Sequence, residues 1–188
     1  TGQIFPDDAG KLMLPGSQIR WEVHMHAIGE EIKDSQVEMA VYFYPKGFVP
    51  PHRTVLKMFD LSRDRDLDIP PNEKTVTQNF YVMPAPGRLE NFQPHMHMRG
   101  AAFRYEVTYA NGKTETLLDI PRYDFNWQLR YEYKSPKLIP RGSTMKITAV
   151  FDNSAGNKAN PDPTKLVRWG SQTVDEMMIG YVEYFRPR

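Results

Sequence analysis

Apolar and polar residues alternate along this chain with a period of two, in short runs separated by turn residues. That pattern constrains the fold more than any other feature. In Met145-Lys146-Ile147-Thr148-Ala149-Val150-Phe151, the residues Met145, Ile147, Ala149 and Phe151 fall on one side of an extended strand. The same alternation appears at 37–43, 54–59, 76–83, 103–109, 114–120 and 129–133, and the chain closes on a final strand within 173–185. It also runs through 19–26, where Ile19, Trp21, Val23 and Met25 oppose Glu22, His24 and His26. Between the runs stand Leu14-Pro15-Gly16-Ser17, Pro84-Ala85-Pro86-Gly87, Leu138-Ile139-Pro140-Arg141-Gly142 and a long polar loop over 152–163. Asn111-Gly112 is a hairpin signal of the type I′ kind. No stretch of helical period competes. The expected fold is all-β: a jelly-roll-like antiparallel β-sandwich over 62–188, preceded in 1–61 by strands of a companion, incomplete sandwich. A soft boundary falls near residue 62, in the charged run Leu61-Ser62-Arg63-Asp64-Arg65-Asp66-Leu67-Asp68.

Composition narrows the chemistry. A net charge of +1 gives no electrostatic case for nucleic acid or an anionic membrane as partner. No apolar run approaches a membrane span, and there is no signal-peptide pattern. The chain opens at Thr1 without an initiator methionine, as a processed chain or a fragment of a longer one would. There is no cysteine, so disulfides and thiolate metal sites are both excluded. Any metal must be held by histidine, methionine, carboxylate or backbone.

The segment that points to such chemistry is Gln93-Pro94-His95-Met96-His97-Met98-Arg99-Gly100. Read as strand, it sets His95 and His97 on one face as neighbouring imidazoles, the arrangement a metal ion needs. A bare H-x-H is a short motif and fits two surface histidines equally well. A second H-x-H pair occurs at His24 and His26. The remaining histidine, His52, stands in a Pro-Pro-His loop and reads as a surface residue.

Three motifs in order, Glu22-Val23-His24, His95-Met96-His97-Met98-Arg99-Gly100 and Asp175-Glu176-Met177, with the turn Ile69-Pro70-Pro71-Asn72-Glu73-Lys74, carry a resemblance to a known family. From about Ile19 to Phe185 the chain resembles the C-terminal half of the copper type II, ascorbate-dependent monooxygenases. The peptidylglycine α-hydroxylating and dopamine β-monooxygenases are known members. The Phe-Asp-Asn-Ser loop (Phe151 to Ser154) and Val-Arg-Trp-Gly (Val167 to Gly170) bring it closest to bacterial members. The resemblance implies a mononuclear copper held by His95, His97 and Met177, where dioxygen is activated for hydroxylation of a C–H bond. Two imidazoles and a thioether independently suit copper cycling between Cu(I) and Cu(II), and suit zinc poorly. An isolated methionine is most often a core residue; the resemblance puts the ligand at Met177 and leaves Met178 for packing.

The resemblance also assigns His24 to a second, electron-transferring copper, with His26 a weaker candidate. The family completes that site with an upstream His-His pair, and no histidine precedes His24 here. Completion then falls to His26, another chain or an upstream domain. Gln93 stands where the amidating enzymes place an arginine that grips a substrate carboxylate, and a neutral amide cannot form that ion pair. Ile179 replaces an asparagine, whereas Tyr181, a substrate contact by resemblance, is retained. Peptidyl-glycine is therefore not the expected substrate. The expected activity is that of a copper-dependent monooxygenase, an oxidoreductase, served by an external electron donor, either an ascorbate-like reductant or a redox protein. The location implied is periplasmic or extracellular. The alternative is a non-catalytic copper-binding or structural module of a larger redox assembly; a metal-free jelly-roll binding domain is the blandest option.

Overall fold

The computed structural model describes residues 3–21, 23, 28–33, 36–61 and 67–188. Its strands are β1 (Ala9–Gly10), β2 (His52–Asp60), β3 (Asp68–Ile69), β4 (Lys74–Val82), β5 (Gly87–His95), β6 (Gly100–Thr108), β7 (Thr114–Ile120), β8 (Tyr131–Ile139), β9 (Thr144–Asp152), β10 (Val167–Arg168) and β11 (Ile179–Pro187). The described residues contain no helix, as the alternation requires. Among the described residues no helix is long and apolar enough to cross a membrane.

Two sheets face each other as a jelly-roll-like sandwich. One runs β1-β2-β11-β5-β8, the other β4-β9-β6-β7, with a β3/β10 ribbon at the side. All pairings between the long strands are antiparallel. Contacts across the gap follow the strand order. The Phe59 ring of β2 meets Tyr81 of β4 at 5.9 Å between centroids. Phe92 of β5 meets Tyr105 of β6 at 4.7 Å. Met145, Ile147, Ala149 and Phe151 of β9 are all buried, together with Phe103, Tyr105 and Val107 of β6 and Val182 and Tyr184 of β11. Each of the larger aliphatic and phenylalanine side chains contributes about 1.5–3 kcal/mol of transfer free energy, which is why a period-two sequence settles as this sandwich.

Three expectations change. First, the run at 54–59 lies in β2, which pairs along its whole length with β11 from Ile179↔Asp60 to Pro187↔His52. It therefore belongs to the same sheet as the strands beyond residue 62, and hydrogen bonding crosses the boundary drawn there. Residues 62–66 of the charged run lie outside the described residues.

Second, the described part of 11–51 contains no strand. Val37 and Phe43 are exposed, the latter by 75%. Alternation makes a strand only where a neighbour supplies the ladder and a second layer covers the apolar face, and among the described residues none pairs with this segment as a strand. Glu22, His24, Met25 and His26 lie outside the described residues. Third, at the β6–β7 hairpin only Gly112 has positive φ (80°), not Asn111. Tyr109 N–H donates to the Lys113 carbonyl (2.8 Å), so the loop is the three-residue kind with glycine in the left-handed position, not type I′.

Candidate metal centre

The H-x-H segment spans the crossing from one sheet to the other. β5 ends at His95, a turn follows in which Gly100 N–H donates to the His97 carbonyl (3.1 Å), and β6 begins at Gly100 in the facing sheet. Only His95 is strand; His97 lies just beyond its end. The rings nevertheless stand side by side, centroids 5.1 Å apart and planes at 86°. His95 is half-buried, and His97 is 5% exposed.

Each ring is held through Nδ1. Nδ1 of His95 lies 2.6 Å from Gln128 Oε1, and Nδ1 of His97 lies 3.2 Å from the Asp175 carbonyl oxygen. A carbonyl oxygen can only accept, so Nδ1 of His95 carries the proton and its Nε2 the lone pair, whereas the His97 ring is hydrogen-bonded to the Asp175 and Gln172 backbone carbonyls. Burial holds the His97 pKa below the ordinary imidazole value, favouring the neutral ring that a metal requires.

Two further segments fasten the motif. Residues 123–128 lie along it: Tyr123 Oη accepts from Met96 N–H (2.9 Å) and donates to Met96 O (2.8 Å). Phe125 meets the His97 ring edge-on at 6.1 Å. Gly100 permits this approach, because a Cβ there would lie 2.8 Å from both Met96 Cβ and Tyr123 Cδ1. From the other side, the buried Glu176 carboxylate accepts from His97 N–H (2.8 Å) and Arg99 N–H (2.5 Å). Burial pushes Glu176 up to about 7, against the pull of those two donors and of Arg99. Arg99, itself 1% exposed, donates to Asn153 Oδ1 (2.8 Å) and the Val174 carbonyl (2.8 Å).

Met177 follows Glu176 directly. Buried and half-buried residues alternate from Glu176 to Val182, with Met177, Ile179 and Tyr181 on the half-buried parity. Register places Ile179 opposite His95 and Tyr181 opposite Gln93, and directly opposed residues share a face. Met178 has the opposite parity: it is fully buried and accepts from Thr77 Oγ1 of the facing sheet at 3.0 Å. Gln93 is exposed. His52 starts β2, half-buried, with Nδ1 3.1 Å from Asp8 Oδ2.

An ion bound at the usual imidazole distance lies about 3.2 Å from the ring centre, so rings sharing one ion stand roughly 4.5–6.4 Å apart. The observed spacing falls in that range. Among the described residues, no three His, Cys, Asp or Glu side chains gather as a ligand set. Gln128, Glu176 and the aromatic residues of 123–128 were not singled out as site residues from the sequence. The signal that could have found that loop is its run of aromatic residues, Tyr123-Asp124-Phe125-Asn126-Trp127-Gln128.

No family model and no curated protein matches the chain. Among solved structures it is similar to a viral particle of IBDV, at 9% identity and TM-score 0.35 over 79% of this chain and 35% of that one. It is equally similar to the infectious bursal disease virus VP2 subviral particle (9%, 0.35, 79% and 37%). The chain thus spans about a third of the length of those proteins.

Proposed function

We propose that the chain is a copper-dependent monooxygenase-like domain. The observation that supports this reading is the His95/His97 pair: two adjacent imidazoles, each tied through Nδ1, with Nε2 of His95 left to a metal. His95, His97 and Met177 would hold the copper; Met177 directly follows Glu176, whose carboxylate accepts from His97 N–H. Bound there, copper would supply electron transfer to dioxygen for C–H hydroxylation, drawing on an external reductant. The protein's own contribution is orientation. Gln128 and the Asp175 carbonyl orient the rings, Glu176 fixes the turn, and Tyr181 and Gln93 line the same face as neutral polar groups. That face suits a substrate without a carboxylate to be gripped.

His24 as ligand of a second copper, completed by an upstream domain or another chain, belongs to the same proposal, as does a periplasmic or extracellular location. The sequence contains no His-His pair, and this favours a second reading: a copper-binding or structural module of a larger redox assembly, without turnover of its own. Anaerobic reconstitution with Cu(I) and metal analysis test the site; oxygen uptake with ascorbate then separates the two readings. About one copper per chain is expected, and none would refute the copper reading.

A further inference from the structure

We propose that Gln128 is a positioning residue which locks His95 in its Nδ1–H tautomer, and that residues 123–128 form a strap setting both imidazoles for the metal. The inference rests on the metal reading of the His95/His97 pair. The strap touches three successive residues of the motif. Gln128 takes the His95 ring at 2.6 Å, Tyr123 brackets the Met96 backbone at 2.9 and 2.8 Å, and Phe125 lies against the His97 ring.

The orientation of the Gln128 amide follows from its other end. Nε2 of Gln128 donates to the Phe125 carbonyl at 2.8 Å. Turning the amide over would set Oε1 against that oxygen, two acceptors facing each other. Oε1 therefore faces His95 and must accept from Nδ1–H, leaving the lone pair on Nε2. The strap also fastens itself, since Asn126 N–H donates to Asp124 Oδ1 (2.8 Å) and Trp127 N–H to the Asp124 carbonyl (2.9 Å). The amide is thus presented by a closed turn. Partners of this kind fix ring orientation and raise ligand basicity, and their loss typically costs about 10–100-fold in metal affinity.

The test is nitrogen-15 NMR of the histidine rings in the metal-free protein at about pH 8, where imidazole is neutral, with Cu(I) titration alongside. In the unmodified protein His95 is expected as the Nδ1–H tautomer. In Gln128→Leu that tautomer should give way to the Nε2–H form, and Cu(I) affinity should fall about 10–100-fold. Gln128→Glu, which still offers Nδ1–H an acceptor oxygen although it loses the donor to the Phe125 carbonyl, should keep the tautomer. An unprotonated Nδ1 in the unmodified protein, or an unchanged tautomer in Gln128→Leu, overturns the proposal. If the unmodified protein has the Nδ1–H tautomer but takes no Cu(I), the metal reading of the pair falls while the tautomer assignment stands.

Discussion

Met177 and Met178 are neighbours in sequence and opposites in environment. The fully buried Met178 contacts Thr77 in the facing sheet, so Met178→Ala should lower stability by about 2–5 kcal/mol and leave copper binding intact. Met177→Ala should do the reverse, weakening Cu(I) binding at little cost in stability. Denaturant unfolding and copper stoichiometry on both variants, with His95→Ala as the reference for copper loss, would separate them. Equal copper loss in the two methionine variants would contradict the parity that sets Met177 outward. Asn153, fully buried, makes a second case at this scale. Its Nδ2 donates to the Pro70 and Lys165 carbonyls (both 2.9 Å), while Oδ1 accepts from Arg99 and Asn160. Asn153→Leu strands several buried groups at about 1–3 kcal/mol each, and a loss of at least about 3 kcal/mol is expected in urea unfolding.

At the scale of elements, the turn that carries the histidines is set by close packing. Gly100→Ala forces Met96 or Tyr123 to move and should cost about 1–3 kcal/mol; it should also disturb the His95 and His97 ring signals. Gly112→Ala strains the hairpin at φ 80° at a similar order of cost, but far from the motif, and those signals should not change. The short strand β1 is held by charge. Asp8 makes a two-point hydrogen-bonded pair with Arg88 of β5 (3.1 Å each) and lies beside His52 of β2. That pairing with Arg88 holds the Asp8 carboxyl below its usual value. With the folded pKa depressed, the contribution is fully present above the usual carboxylate pKa and is lost as pH falls through the folded one. Asp8→Asn should flatten that part of the acid-unfolding profile below about pH 4, as followed by urea melts at each pH.

Across the whole molecule, stability is concentrated between the two long-stranded sheets. Ile147→Ala, at a fully buried position, should cost about 2–5 kcal/mol. Val37→Ala and Phe43→Ser, at exposed positions, should stay within about 0.5 kcal/mol. The comparison also measures how far residues 11–51 share the core. Large losses at Val37 or Phe43 would mean that this segment packs against the sandwich after all. The far-UV circular dichroism spectrum should be that of a β protein.

The sequence by itself determined the all-β class and most of the strands, because alternation at positions such as 145–151 encodes directly which side chains face a core. It also showed the His95/His97 pair as an H-x-H motif, whereas Met177 was singled out only through the family resemblance. Tertiary structure alone decided which alternating runs become strands. The 54–59 run found β11 as a partner across its full length, whereas 37–43 has none among the described residues, so two runs both read as strands had opposite outcomes. It also decided what surrounds the motif. Gln128 and Glu176 lie 33 and 79 residues from the groups they bind, and no local pattern reports a hydrogen bond made across that separation. Strand register, which places Ile179 against His95, is set by the packing of both sheets together, and that information exists only once the sandwich is closed.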